Sequence, residues 1–111
     1  MIGIIDYGLG NLSSVLNAFS TINCRAEIFD NPKNIKKYKH LVLPGVGSFE
    51  AGIKALKIKN WPEGIYGHVE LKKPFLGICL GMQLLFSKGE EYGTHDGLGL
   101  IKGVVKKMKL E

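Results

Sequence analysis

A chain of 111 residues, 45% of them hydrophobic, has room for one domain with a modest core. The net charge of +5 comes almost entirely from lysine, with Arg25 the only arginine; nucleic-acid surfaces bring arginines and aromatics among their basic residues, so nucleic acid is not the expected partner. No apolar run approaches a membrane span, the start at Ile2-Gly3-Ile4-Ile5 shows no basic leader, and Cys24 and Cys79 make a weak case for a disulfide framework, so a reducing cytoplasm is expected.

In chain order, Met1 to Asp6 predicts a buried strand running into the glycine turn Tyr7–Asn11. Asn11 or Ser13 is placed to cap a helix whose Leu12, Val15, Leu16 and Phe19 recur at helical spacing. A dinucleotide fingerprint is incomplete here, because Ser13 stands where its third glycine belongs. Ala26–Phe29 reads as a second strand closed by the Asp30-Asn31-Pro32 turn, followed by a short surface helix over Ile35–Tyr38. His40–Leu43 is a third strand, and Pro44–Gly47 turns into a helix with Phe49, Ile53 and Leu56 on one side. From Asn60 to Lys73 the pattern is broken by Trp61-Pro62, Gly64 and Gly67. Phe75–Ile78 predicts a strand buried on both faces, and Leu80–Phe86 a helix. Lys88–Asp96 reads as a polar loop, and Gly97–Leu110 as one or two further strands. Alternating strands and helices predict an α/β fold: a parallel, doubly wound, flavodoxin-like sheet in a single domain over residues 1–111. The turns after Asp6, Leu43 and Ile78 then share the carboxyl rim, where such sheets hold their sites.

The most informative stretch is Gly77-Ile78-Cys79-Leu80-Gly81. A cysteine with glycines two residues to either side, between strand and helix, has the spacing of a nucleophile elbow. The reversal brings backbones too close for a Cβ at the flanking positions, and a helix N-terminus stabilises the thiolate, the reactive form. A purely structural thiol is the alternative. Gln83, one helical turn on, and the glycine turn Gly45-Val46-Gly47 favour chemistry.

The segments I-D-Y-G-L-G-N-L (Ile5–Leu12), L-P-G-V-G-S-F (Leu43–Phe49) and G-I-C-L-G-M-Q-L-L-F (Gly77–Phe86) together resemble class I (triad) glutamine amidotransferases, over Met1 to about Leu110. The opening D-Y-G-x-G-N and the run G-L-G-L-I-x-G at Gly97–Gly103 are most similar to the glutaminase subunits of imidazole glycerol phosphate synthases. The resemblance implies that glutamine is hydrolysed to glutamate and ammonia. The ammonia would pass to a (β/α)₈ cyclase subunit in a heterodimer of histidine biosynthesis, without metal or cofactor. Cys79 would attack the side-chain amide, release ammonia and leave a glutamyl thioester for water. The backbone N–H of Leu80 and one from Gly45-Val46-Gly47, with Val46 the foremost candidate, would meet the oxyanion. Gln83 would hold the amino-acid end of glutamine, Glu91 would pair with its ammonium, and Asn11 would serve the subunit interface or ammonia relay.

One departure stands out. The family's base is a histidine followed two residues later by an acid near the C-terminus of the domain; the one such spacing here, His68-Val69-Glu70, lies in the glycine-broken segment before the elbow. Its histidines, His40, His68 and His95, read as surface residues. The expectation is therefore the N-terminal part of a truncated amidotransferase domain, inactive alone and exposing apolar surface that invites association. The remaining alternatives are a glutaminase-like subunit for another synthase, such as a sugar-amidating one, a peptidase-like cysteine-elbow protein, and a non-catalytic flavodoxin-like interaction module.

Overall fold

The computed structural model describes residues 1–109. Strands β1 (Ile2–Ile5), β2 (Ala26–Phe29), β3 (His40–Leu43) and β4 (Phe75–Gly77) form a parallel sheet in the order β2-β1-β3-β4. Helix α1 (Leu12–Thr21) connects β1 to β2, while α2 (Phe49–Ile58) and α3 (Pro62–Glu70) connect β3 to β4. The chain moves one way along the sheet in the first crossover and the opposite way in the last. Right-handed connections then place α1 on one face and α2 with α3 on the other. The expected doubly wound, flavodoxin-like order is thus present. Its direction reverses between β1 and β3, and the turns leaving those strands flank the crevice where ligands bind in such sheets.

The two faces are unequally covered. On one, Phe29, Ile5, Leu41 and Leu43 join Phe49, Ile53 and Leu56 of α2 and Ile65 of α3 in the main core. Trp61, fully buried, meets the Phe29 ring edge-on at a centroid distance of 5.3 Å, a favoured aromatic geometry. On the other face the register aligns Ile28, Ile4, Val42 and Leu76 in one row. Ile4 and Val42 are buried at its centre, but Ile28 and Leu76 at its ends are 37% and 51% exposed. Helix α1 buries no residue completely. Apolar surface is therefore exposed at the ends of this row, as it is elsewhere at Ile22, Ile58, Leu71 and Met108.

Several expectations are corrected. The strand at Phe75 is not buried on both faces: among the described residues β4 pairs only with β3, which leaves it at the sheet edge with Leu76 uncovered. The helix expected over Leu80–Phe86 is a single turn, α4 (Leu80–Gln83). It stops because the chain downstream takes its next carbonyls: Leu98 N–H donates to Leu84 O at 2.8 Å and Ile101 N–H to Leu85 O at 2.9 Å. Phe86 begins a strand instead, β5 (Phe86–Gly89), which pairs with β6 (His95–Asp96) and β7 (Ile101–Val105) in a small second sheet. Most of the supposed polar loop is thus its two antiparallel strands and their connection. Of the expected Gly97–Leu110 strands, β7 is present, and Leu110 lies outside the described residues. The segment after Asn60 is helical despite its glycines, because Pro62 takes the first helical position, where an N–H is not required. The short helix before β3 is a 3₁₀ turn over Pro32–Lys37.

His68 is also not a surface residue. It is 4% exposed, and Nε2 lies 2.8 Å from Pro74 O, joining α3 to the entry of β4. Burial, the dominant effect, holds its pKa below the usual histidine value of 6.5. A depressed folded-state pKa means that the unfolded chain takes up the proton first. His68 therefore contributes stability above pH 6.5 that is lost as pH falls through the lower folded value. The urea midpoint of the wild type is expected to drop more between pH 7.5 and 5.5 than that of His68→Gln, which keeps a donor but does not titrate; parallel curves would refute this. (Those pH values are about one unit either side of the ordinary histidine pKa.)

Candidate active site

Three turns meet at the carboxyl rim. Beyond β4, Ile78 N–H continues the ladder to Leu43 O at 2.9 Å, and Gly81 N–H then reaches back to Ile78 O at 2.9 Å. Cys79 stands at the apex with φ 55° and ψ −121°, exposed, just ahead of α4. Side chains rarely adopt this backbone conformation, and it costs roughly 1–3 kcal/mol. The flanking glycines are sterically required. A Cβ on Gly77 would lie 2.6 Å from the Cα of Met82, and one on Gly81 would overlap the carbonyl oxygen of Leu43.

The turn after β3 packs directly on the elbow. A Cβ on Gly45 would stand 3.0 Å from Gly81 N and 3.1 Å from Leu80 Cβ, and would overlap the Tyr7 hydroxyl. Val46 is 56% exposed, and Gly47 has φ +109° with open space around it. Among the described residues, the N–H groups of Val46 and Leu80 have no hydrogen-bond acceptor. Ser48 then caps α2, its Oγ accepting from Ala51 N–H at 3.2 Å.

The first turn completes the cluster. A Cβ added to Gly10 would sit 3.5 Å from Pro44, and Asn11 caps α1, its Oδ1 accepting from Ser14 N–H at 3.3 Å. Tyr7, only 1% exposed, donates from Oη to Pro44 O at 2.8 Å. Burial raises its pKa, so it remains a neutral donor. Sequence reasoning gave Tyr7 no role. Its signal was a polar aromatic between a buried strand and a glycine turn, where the hydroxyl needs a buried partner.

Gln83, one turn after Cys79, lines a cavity of about 470 Å³ with Phe49, Glu91, Tyr92, Lys106 and Lys107. Glu91 Oε1 accepts from Phe49 N–H at 3.2 Å, which holds that loop acid at the N-terminus of α2. The structure thus brings Gln83 and Glu91 to one cavity, and Cys79 and Leu80 against the Gly45–Gly47 turn. Cys79 is not a wall of the cavity. The two lysines and Tyr92 were missed because β5, the strand that β7 pairs with, was read as the end of a helix and the start of a loop. A larger groove of about 970 Å³ runs between the 3₁₀ turn and α3, lined by Ile35, Lys36, Lys59 and Tyr66 among others, and includes none of the expected site residues.

The histidines are engaged elsewhere. His40 opens β3, and His68 bonds to Pro74 ahead of β4, both at the amino ends of strands. His95 Nε2 lies 3.1 Å from Tyr92 O and 3.6 Å from Glu50 Oε2.

A strained cysteine elbow beside a glycine turn on a doubly wound sheet defines a nucleophile-elbow α/β protein. The family model "Glutamine amidotransferase class-I" matches residues 3–109, and the chain belongs to that family. It is 51% identical over 105 residues to the imidazole glycerol phosphate synthase subunit HisH of Sulfurimonas denitrificans, covering 95% of this chain and 51% of that protein. Against the HisH subunit of Desulfitobacterium hafniense it is 49% identical over 95% of this chain and 50% of the relative. The chain thus spans about half the length of the curated relatives it matches. Two solved structures share the fold. One is a glutamine amidotransferase (TM-score 0.79, 19% identity, 95% of this chain and 55% of that one). The other is described as a peptidase E from Listeria monocytogenes (TM-score 0.72, 12% identity, 90% of this chain and 62% of that one). Among the described residues no helix is long and apolar enough to cross a membrane.

Proposed function

We propose that this chain carries the nucleophile half of a glutaminase, which releases ammonia from glutamine for the cyclase subunit of an imidazole glycerol phosphate synthase in the cytoplasm. The carrying observation is the elbow itself, with Cys79 at φ 55° and ψ −121° against the Gly45–Gly47 turn. The HisH relatives supply the reading of substrate and partner.

In this reading the Cys79 thiolate adds to the glutamine Cδ, and the amide oxygen becomes an oxyanion facing Leu80 N–H and Val46 N–H. Both donors lack acceptors among the described residues, so neither must break a bond to serve. Gly47 provides the freedom for the Val46 peptide to turn inward. Gln83 and Glu91 hold the amino-acid end of the substrate in their shared cavity, with Lys106 and Lys107 available to its carboxylate. Asn11, at the same rim, faces the synthase or the ammonia path. The leaving amide nitrogen takes a proton and departs as ammonia, water cleaves the thioester and gives up a proton, and the acid–base group for these transfers is none of His40, His68 or His95, each placed or bonded elsewhere.

The test uses a diazoketone analogue of glutamine and intact-mass analysis. A single adduct is expected on Cys79, with exposed Cys24 spared and glutamine but not asparagine protecting. Equal labelling of both thiols, or no protection by glutamine, would overturn the reading.

A further inference from the structure

We propose that Tyr7 is a positioning residue for the oxyanion turn: its buried hydroxyl latches the Pro44 carbonyl and so confines turn movement to the Val46 peptide. The proposal rests on the glutaminase reading for its catalytic consequence, but the latch itself is a matter of geometry.

The Tyr7 Oη–Pro44 O bond of 2.8 Å is buried and spans 37 residues, tying the turn after β1 to the turn after β3. A trans peptide is planar, so fixing the Pro44 oxygen also fixes the direction of the Gly45 N–H on its opposite side. Gly45 is then sandwiched. The Tyr7 hydroxyl lies so close that a Cβ would overlap it, and Gly81 N and Leu80 Cβ of the elbow stand at 3.0 and 3.1 Å from the same point. Everything up to Gly45 is therefore locked between Tyr7 and α4. Beyond it the restraints end abruptly: Val46 is exposed, and a Cβ added to Gly47, at φ +109°, would meet nothing within 4 Å. Such a boundary lets one peptide rotate without disturbing the contact between turn and elbow. An oxyanion donor must be aimed where charge develops, and the Tyr7 latch sets that aim without touching substrate.

Burial also keeps the tyrosine protonated, so the latch does not open as pH rises through the neutral range.

Tyr7→Phe removes only the hydroxyl. Three readouts in the full chain separate positioning from mere structure. The thiolate adds to the diazoketone carbonyl and places negative charge on its oxygen. The diazo carbon then takes a proton, accepts the sulfur and loses dinitrogen as the carbonyl re-forms, whereas iodoacetamide loses iodide by direct displacement and needs no oxyanion donor. Labelling by the diazoketone at saturation is expected to slow about 10-fold, less than for loss of a donor itself. Its half-saturating concentration and the iodoacetamide rate are expected to stay unchanged. Amide exchange at buried Gly45 is expected to quicken while exchange in β1 and β3 does not, which also establishes that the variant is folded. Equal slowing with both reagents, or unchanged diazoketone labelling together with unchanged exchange, would overturn the proposal. If wild-type labelling shows no protection by glutamine, the glutaminase reading fails. In that event the exchange result alone decides the latch: unchanged exchange at Gly45 overturns it, and quickened exchange sustains it.

Discussion

Cys79→Gly and Cys79→Ala are both expected to lose all labelling by the glutamine diazoketone, yet the glycine variant should be the more stable by about 1 kcal/mol. Loss of labelling follows from removing the only thiol at the rim, since Cys24 lies beyond α1 at the entry to β2. The stability difference follows from the backbone. At φ 55° and ψ −121° the residue at the apex occupies a region that penalises any Cβ, by roughly 1–3 kcal/mol. Alanine retains that strain and glycine relieves it, less the roughly 0.5–1 kcal/mol that glycine costs through the unfolded chain. Urea midpoints measured on wild type and both variants decide it. If the alanine variant is as stable as the glycine variant, the elbow stores no strain and the account of its geometry is wrong. If the expected order holds, the protein gives up stability to hold its sulfur at the apex of a tight turn.

The legible part of this fold was the part encoded by local chemistry. Glycines at 77 and 81 declared the elbow because backbone proximity admits little else there, and Asn11, offered with Ser13, declared a helix start through its capping side chain. The parallel sheet, with its three turns on one rim, followed from the alternation of strands and helices. What escaped was decided by distant partners. Nothing near Leu84 says that a helix must end, because the carbonyls of Leu84 and Leu85 are claimed by N–H groups at Leu98 and Ile101. Missing that pairing hid the β5–β7 sheet and, with it, the Lys106 and Lys107 wall of the cavity beside Gln83.

The two mistakes about burial have a common cause as well. A run such as Phe75-Leu76-Gly77-Ile78 reads as doubly buried from its hydrophobicity, but burial depends on neighbours, and β4 has only one among the described residues. His68 reads as exposed from its polarity, but a carbonyl at Pro74 waits where its ring points. Composition sets what a residue prefers; the sheet and its crossovers set what it receives.

Gly81→Ala is expected to unfold the chain, while Gly67→Ala leaves it folded and slightly more stable. The contrast isolates sterics from propensity, because alanine is the better helix former at both sites by about 1 kcal/mol. Gly67 lies within α3, and an added Cβ there meets nothing within 4 Å, so the substitution is expected to gain roughly 0.4–1 kcal/mol. Gly81 lies within α4, and an added Cβ would overlap the carbonyl oxygen of Leu43 and approach Pro44 O at 3.1 Å. Those atoms are backbone, so no rotamer change makes room. The Leu43 oxygen cannot retreat either, for it accepts the Ile78 N–H at 2.9 Å and anchors β4 to β3. Relief would require α4 to lift off the sheet, uncovering Leu80 and Leu84, which are 3% and 0% exposed. Each of those leucines is worth about 2–5 kcal/mol by the cost of its removal from a core. Losing both contacts approaches the whole stability of a small domain, about 5–15 kcal/mol. Circular dichroism during urea titration distinguishes the outcomes: no cooperative transition for Gly81→Ala, and a raised midpoint for Gly67→Ala. A Gly81→Ala chain with the wild-type midpoint would show that the elbow and the β3 turn are not in contact, and the proposed pairing of Leu80 and Val46 N–H groups around one oxygen would fall with it.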